Sequence, residues 1–227
     1  MFGLLGGVMA AGAAVMAYEK YLRPWHLRWG ATDEETAEPL PGDEVRPDAG
    51  VQITHAVTID APPDEVWKWL VQIGQGRGGF FSYDWLENSI GLDIHTSEEI
   101  VPELQDLKVG DFVRGAHPGW LGGRFDDKAG WHVVRLDPAG ALVLQDSIEA
   151  GTWSFILRPV NEHGTRFIIR ARGPKPETVG MKAFHRGIME PAHFIMERKM
   201  MLRLKELAER SYRERRAPVE IPAIVAA

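Results

Sequence analysis

Cysteine is absent from this chain of 227 residues. The absence excludes disulfides, thiolate nucleophiles and zinc sites built on cysteine, and it fits a reducing compartment without proving one. A basic excess is missing as well, because 26 Lys and Arg face 32 Asp and Glu, giving a net charge of −6. This balance argues against nucleic acid as the main partner.

A phosphate-binding loop is also lacking, since no Gly-Lys-Ser/Thr follows the glycines that begin at Gly74. Glu190, His193 and Glu197 share a helix face and include one Glu-x-x-His spacing, but a di-iron site needs two such motifs and further carboxylates. No nucleophile–base pair stands out. The sequence therefore predicts neither a metal nor a cofactor, and it favours a protein that is not an enzyme.

Charged residues are missing from residues 2–18, a run rich in Gly, Ala, Met and Leu. As a helix this run would span about 25 Å, slightly less than a hydrocarbon core of roughly 30 Å. Tyr and Trp interleaved with Lys and Arg follow it up to Trp29. We therefore predict that residues 1–29 form a single-pass membrane anchor, with the following domain in the cytoplasm. A cleaved signal peptide and a soluble helix docked on the protein are the alternatives.

Residues 30–50 are acidic and rich in Pro and Gly, a composition typical of an extended linker. The globular domain is predicted over residues 51–211, and residues 212–227 read as a tail.

Within that domain, residues 51–59 alternate between apolar and polar side chains and predict a strand, which places His55 on the apolar face. Short helices at 65–73 and 83–88 and a meander of strands between 111 and 172 follow. Apolar residues spaced by three or four from Phe184 to Leu207 predict a long helix, which Pro191 must start or kink. The fold class is thus α+β, with a curved antiparallel sheet around a long C-terminal helix and a hydrophobic N-terminal helix.

This order, with Ile59-Asp-Ala-Pro-Pro-Asp-Glu-Val-Trp67 at the first strand-to-helix junction, resembles the START-like (SRPBCC) superfamily. It is similar to the polyketide cyclase/dehydrase and lipid-transport branch. The pieces 74–88 and 190–199 resemble an uncharacterised bacterial subgroup with a hydrophobic N-terminus. The resemblance implies a helix-grip fold with a deep apolar cavity. Its members include carriers, cyclases and ligand sensors, so it does not fix function.

The segment from Gly74 to Asn88 joins four glycines to four aromatic residues, a composition that suits a loop closing over an apolar space. Aromatic residues of the meander and methionines of the last helix would line that space. The predicted ligand-binding residues are Arg77, Phe80, Phe81, Tyr83, Trp85, Trp131, Trp153, Phe155, Met189, His193 and Met196.

The sequence therefore predicts that the protein binds a small hydrophobic or lipid-like molecule at the cytoplasmic face of a membrane. One alternative is a cyclase/dehydrase-type enzyme in which His55, Tyr83 or Asp84 acts as acid or base. Another is a membrane-tethered scaffold whose interior is filled by its own side chains. The sequence leaves the oligomeric state open.

Overall fold

The computed structural model of the protein describes residues 12–216. Its centre is a six-stranded antiparallel sheet with the strand order β1-β6-β5-β4-β3-β2. The strands are β1 (Val51–Ile59), β2 (Phe112–Arg114), β3 (Gly130–Asp137), β4 (Ala141–Asp146), β5 (Thr152–Asn161) and β6 (Gly164–Gly173). Register shifts at Val133/Arg135 and Pro159/Asn161 interrupt two ladders. Such bulges bend strands, as a curved sheet requires.

Helices lie on both faces of the sheet. They are α1 (residues 12–26, with a π-helical turn at Tyr18–Leu22), α2 (Asp33–Ala37), α3 (Pro63–Leu70), α4 (Asp84–Ser89), α5 (Val179–Phe184) and α6 (Glu190–Arg216). Short 3-10 turns occupy Pro102–Leu104 and Trp120–Gly123. The α+β class, the antiparallel meander and the long C-terminal helix are thus confirmed.

A π-helical turn, His185–Met189, joins α5 to α6, so one helical rod runs from Val179 to Arg216. Pro191 lies just after that turn. Proline has no N–H to donate to the preceding turn, and a π-helical turn is a common way to accommodate the defect without ending the helix. Pro191 therefore lies within the rod instead of starting a new helix.

The main core lies between the inner face of the sheet, α3 and α6. Met200, Leu204 and Leu207 of α6 are fully buried there, against strand residues such as Phe155 and Ile169. The first part of the rod differs, since Phe184 and Ile188 remain exposed. The C-terminal half of the predicted apolar stripe therefore packs in the core, and the first half does not.

The outer face of the sheet is also covered, by residues 30–50, which we call the outer segment. Leu40 packs there against Ala56, Ile156 and Ile168 in a second, smaller core. The backbone of this segment comes so close to β1 that a Cβ at Gly30 would lie 2.1 Å from the Ala56 carbonyl oxygen. Residues 30–50 thus lie on the sheet and do not extend away from it as a linker.

Arg170 of β6 holds the outer segment in place. Its guanidinium donates hydrogen bonds to the backbone oxygens of Glu35, Thr36 and Glu38 and pairs with Asp43 at 2.7 Å. Since Arg170 is only 1% exposed, the charge is almost entirely satisfied by protein groups. Residues 30–50 have the polar, acidic composition of a solvated linker. In the structure, several of these polar groups instead bind the buried Arg170.

The predicted localisation, a single-pass membrane anchor, is wrong. Within residues 12–216, no helix is long and apolar enough to cross a membrane. The part of the predicted anchor at residues 2–11 lies outside the described residues, so a hydrophobic N-terminal helix over the whole run is not supported. Helix α1, the next part of the predicted anchor, is docked on the protein, where Arg23 donates two hydrogen bonds to Glu190 at 2.7 and 2.8 Å.

Candidate functional site: a buried imidazole–carboxylate cluster beside aromatic rings

A carboxylate buried inside the protein is the centre of the candidate site. Glu197 lies on α6 with its side chain 1% exposed, facing the inner side of the sheet. A buried carboxylate is costly unless charged and hydrogen-bonding partners surround it. Those partners are His55, His193 and Trp153, and we call Glu197 with the two histidines the polar cluster.

His55 contacts Glu197 from β1. Its Nδ1 lies 2.5 Å from the Glu197 Oε1, and its Nε2 lies 2.6 Å from the carbonyl oxygen of His26 at the end of α1. The ring is fully buried. Because a carbonyl oxygen and a carboxylate both accept hydrogen bonds, each ring nitrogen of His55 faces an acceptor.

The second carboxylate oxygen of Glu197 faces Trp153 and His193. The indole Nε1 of Trp153 donates to Oε2 at 2.7 Å. The Nε2 of His193 lies 3.0 Å from the same oxygen, close enough for an ion pair but outside hydrogen-bonding alignment. His193 precedes Glu197 by one helical turn, so the two side chains meet on one face of α6.

These contacts shift the pKa values of both groups. Burial acts to raise the pKa of Glu197, but His193 and His55 outweigh it and hold the pKa well below its ordinary value. Burial acts to lower the pKa of His193, but the Glu197 carboxylate outweighs it and raises the pKa above 6.5. Each member of the pair therefore stabilises the charged form of the other, and His193 is the partner that reaches solvent, because its side chain is 36% exposed.

Helix α1 extends the polar groups beyond His55. The Nε2 of His26 lies 3.0 Å from the hydroxyl of Tyr18, which donates to the Arg186 carbonyl oxygen at 2.5 Å. The hydroxyl therefore accepts from the Nε2–H of His26. Burial lowers the pKa of His26, which favours a neutral ring.

Four aromatic rings lie beside the polar cluster, and we call them the aromatic recess: Phe80, Trp131, Trp153 and Phe155. The centroid of the Trp153 ring is 4.7 Å from Phe155, 5.3 Å from Trp131 and 6.4 Å from Phe80. Phe80 and Phe155 are buried, whereas the two tryptophans are half-buried. His193 adjoins this group, with its ring centroid 6.5 Å from that of Trp153.

The structure therefore brings together five of the predicted ligand-binding residues, the recess and His193. The glycine-rich loop and α4 together form segment 74–89, which closes one side of the aromatic recess. The Ser82 hydroxyl donates to the Met196 carbonyl oxygen at 3.2 Å, and Lys199 lies over the Tyr83 ring. Tyr83 and Met196 are half-buried at this contact.

Four other predicted residues lie apart from the recess. Phe81 is fully buried in the core against Trp69, at a centroid distance of 6.3 Å. Arg77 donates to the backbone oxygens of Val71 and Leu104, so it holds the loop through the main chain and does not pair with Asp84 or Glu87. Trp85 is 72% exposed and Met189 is 47% exposed, both on the protein surface.

Asp84, which was considered as an acid or base, and its neighbour Glu87 both lie on α4. Both carboxylate oxygens of Asp84 accept hydrogen bonds from Thr96, at 2.7 Å each. Glu87 is 4% exposed, and its Oε2 has no partner among the described residues. Burial, helped by the charge of Asp84, raises the pKa of Glu87 to about 7.

Two open depressions on the described surface lie away from the aromatic recess. One of about 540 Å³ is lined by Thr58, Asp60 and residues 160–164, and one of about 410 Å³ by Asn88, Gly91, Asp93 and His117. Neither reaches the aromatic recess, whose rings pack against one another. Where the resemblance implies a deep cavity, the four rings of the aromatic recess lie against one another in the described structure. No group of three His, Asp or Glu side chains within residues 12–216 is arranged to hold a metal ion.

Sequence reasoning missed the contact between His55 and Glu197, which are 142 residues apart. Each residue gave a partial signal, because His55 falls on the apolar face of a strand and Glu197 on the same helix face as His193.

Comparisons with known proteins add distant structural similarities. No protein-family model matches the chain, and no curated protein matches it. Protein NE0264 from Nitrosomonas europaea is 16% identical over 72% of this chain and 97% of its own, with a TM-score of 0.43. CalC from Micromonospora echinospora, a self-sacrificing resistance protein, is 12% identical over 71% and 96%, with a TM-score of 0.42. MLL2253 from Mesorhizobium loti is 13% identical over 71% and 98%, with a TM-score of 0.38. At this level of similarity, these structures place no constraint on what this chain binds.

Proposed function

We propose that the protein binds a small apolar molecule in the aromatic recess between the inner face of the sheet and α6. The observation that carries this proposal is the pair of half-buried tryptophans, Trp131 and Trp153, beside the solvent-reached ring of His193. Ligand sites typically combine an apolar lining with a few polar groups that fix orientation.

Binding requires movement, because the four rings pack against one another. The part of segment 74–89 around Phe80 is the part that would move, while Phe81 stays in the core. Among the described residues, the polar contacts that join this segment to α6 are the single hydrogen bond from Ser82 and the approach of Lys199 to the Tyr83 ring. Phe80 belongs to this segment and to the recess, so displacement of the segment would separate Phe80 from Trp131 and Trp153. The ligand would then replace protein–protein ring contacts with its own.

The test is binding of N-phenyl-1-naphthylamine, a neutral apolar probe whose fluorescence rises in an apolar site. We expect saturable binding that Trp131→Leu weakens several-fold, since an aromatic pair contributes about 0.5–1.5 kcal/mol beyond its buried area. Trp85→Leu is the matched control, because Trp85 is an exposed tryptophan outside the recess. Failure of the folded protein to bind the probe, or equal effects of the two substitutions, would contradict the proposal and favour a scaffold with a filled interior.

A second candidate function is acid–base catalysis on a bound substrate, which the imidazole–carboxylate contact favours. The three residues first considered for this role are engaged or remote: His55 uses both ring nitrogens, Asp84 is bound to Thr96, and Tyr83 faces Lys199. His193, positioned by Glu197, is the group that would exchange a proton with a substrate. Turnover of a polyketide-like substrate that His193→Gln abolishes while probe binding persists would support this candidate.

A further inference from the structure

We propose that the recess selects apolar molecules that carry an anionic group, and that His193 is the residue that binds this group. This inference rests on the proposed function and names the class of ligand for that same site. The shared chemistry is a carboxylate, sulfonate or phenolate attached to an apolar or aromatic body.

The charges of the polar cluster carry the first step. Two imidazole rings, His55 and His193, contact the single carboxylate of Glu197. His55 is sealed from solvent, with its two ring nitrogens against Glu197 Oε1 and the His26 carbonyl oxygen. The other oxygen of Glu197 accepts from the Trp153 indole at 2.7 Å, and the Nε2 of His193 lies 3.0 Å from that same oxygen without hydrogen-bonding alignment. The Glu197 carboxylate is therefore shared among three nitrogen groups, and it neutralises the positive charge of a protonated His193 ring only in part.

The position of His193 places its incompletely neutralised positive charge at the aromatic recess. His193 is the one member of the polar cluster that solvent reaches. Its Nδ1 has no hydrogen-bond partner among residues 12–216 and is not among the buried unpartnered atoms, so it is open to an incoming acceptor. The adjoining Trp153 ring would contact the apolar body of the same molecule. A donor beside aromatic rings matches an anionic amphiphile better than a neutral one.

The groups around His193 determine how this preference depends on pH. On α6, the facing carboxylates are Glu197 and, one turn earlier, Glu190, which is already bound by Arg23 and His185. On β1 the facing group is His55, through Glu197. The Glu197 carboxylate raises the pKa of His193 although burial acts against it. The cation therefore persists above the ordinary value of 6.5, and preference for anions should be lost as pH rises through the raised pKa.

The experiment compares two probes that share one ring system. 1-Anilinonaphthalene-8-sulfonate keeps its negative charge at all working pH values, whereas N-phenyl-1-naphthylamine lacks the sulfonate. We expect the ratio of sulfonate to neutral affinity to fall about tenfold between pH 6 and pH 9, the size of one charge-assisted hydrogen bond. His193→Gln should remove this pH dependence and lower sulfonate affinity at pH 6 while leaving the neutral probe bound. His193→Lys should retain the preference at pH 9.

Controls separate this inference from non-specific attraction. Arg198→Gln removes an exposed cation of the same helix, which lies over the Trp29 ring, and should leave the affinity ratio unchanged. Ile188→Ser, on the exposed part of the rod, tests whether the probes bind to that surface. Near-ultraviolet circular dichroism checks that each variant is folded.

The outcomes distinguish the two proposals. If the neutral probe does not bind, the proposed function fails and the inference fails with it. If the neutral probe binds in the recess but the affinity ratio is flat with pH, or His193→Gln leaves it unchanged, the anion inference alone is overturned. An equal loss with Arg198→Gln would also overturn it.

Discussion

Replacing Glu197 with Gln tests the energetic role of the polar cluster directly. The substitution keeps the shape of the side chain and an oxygen for Trp153, but it removes the charge that compensates the buried His55. Breaking a fully buried pair by removing one partner costs about 3–5 kcal/mol. The contribution of His193 is smaller, because its ring is partly exposed and solvent screens the interaction. We therefore expect a loss of about 3 kcal/mol, at the lower end of that range.

Urea unfolding measures this loss. With a slope of about 2–3 kcal/mol/M, the expected loss moves the midpoint down by about 1–1.5 M. Glu206→Gln is the control, because Glu206 pairs with Arg203 on the same helix but is 58% exposed. An exposed ion pair contributes less than about 1 kcal/mol. Equal losses for the two variants would refute the view that Glu197 compensates buried charge.

The pH dependence of the same experiment provides a second check. Because the folded-state pKa of Glu197 is depressed, its contribution is present above the ordinary value of 4.5 and is lost as pH falls through the folded pKa. Because the pKa of His193 is raised, its contribution is present below 6.5 and is lost as pH rises through the raised pKa. The difference between wild type and Glu197→Gln should therefore be greater at pH 6 than at pH 9.

Three further substitutions probe other parts of the structure. Glu87→Gln should stabilise the protein at pH 8 and have little effect at pH 5 in thermal unfolding, because the folded protein must ionise a buried carboxyl whose pKa is about 7. Arg170→Met should cost about 3 kcal/mol or more in urea unfolding, because the outer segment loses its buried ionic partner. Arg23→Gln should increase amide hydrogen exchange in residues 18–28 while β5 and β6 stay protected, because α1 loses its paired contact with Glu190; unchanged exchange would show that this pair does not hold α1.

Much of the fold could be predicted from local patterns. The period-two alternation of residues 51–59 and the turn residues between the later strands specify β1 and the meander, because alternation determines which face is buried. The apolar stripe predicts the C-terminal helix. The stripe does not predict that the first half of this helix is exposed, because burial there depends on how far the sheet extends. Proline predicted a helix start or a kink at Pro191, and the structure shows no new start there, because a π-helical turn, which sequence patterns do not reveal, continues the rod through it.

The site was predictable only in part. Strand alternation correctly placed Trp153 and Phe155 on one buried face, and both belong to the recess. The contact of Glu197 with His55 was not predicted because the two residues are 142 positions apart, and the local pattern around each residue does not show which distant residue it contacts. The outer segment was interpreted as a linker for a similar reason: its acids and carbonyl groups serve Arg170, which lies far along the chain.

The outer segment also has a consequence for the order of folding. The Glu35 carbonyl oxygen and the Arg170 guanidinium are 135 residues apart in the chain. At typical synthesis rates the segment leaves the ribosome on the order of ten seconds before β6 does. During that interval Leu40 has no second core to enter, because Ile156 and Ile168 have not yet emerged. Contacts of such long sequence separation close slowly, so attachment of the outer segment should be a late step in the formation of the native protein.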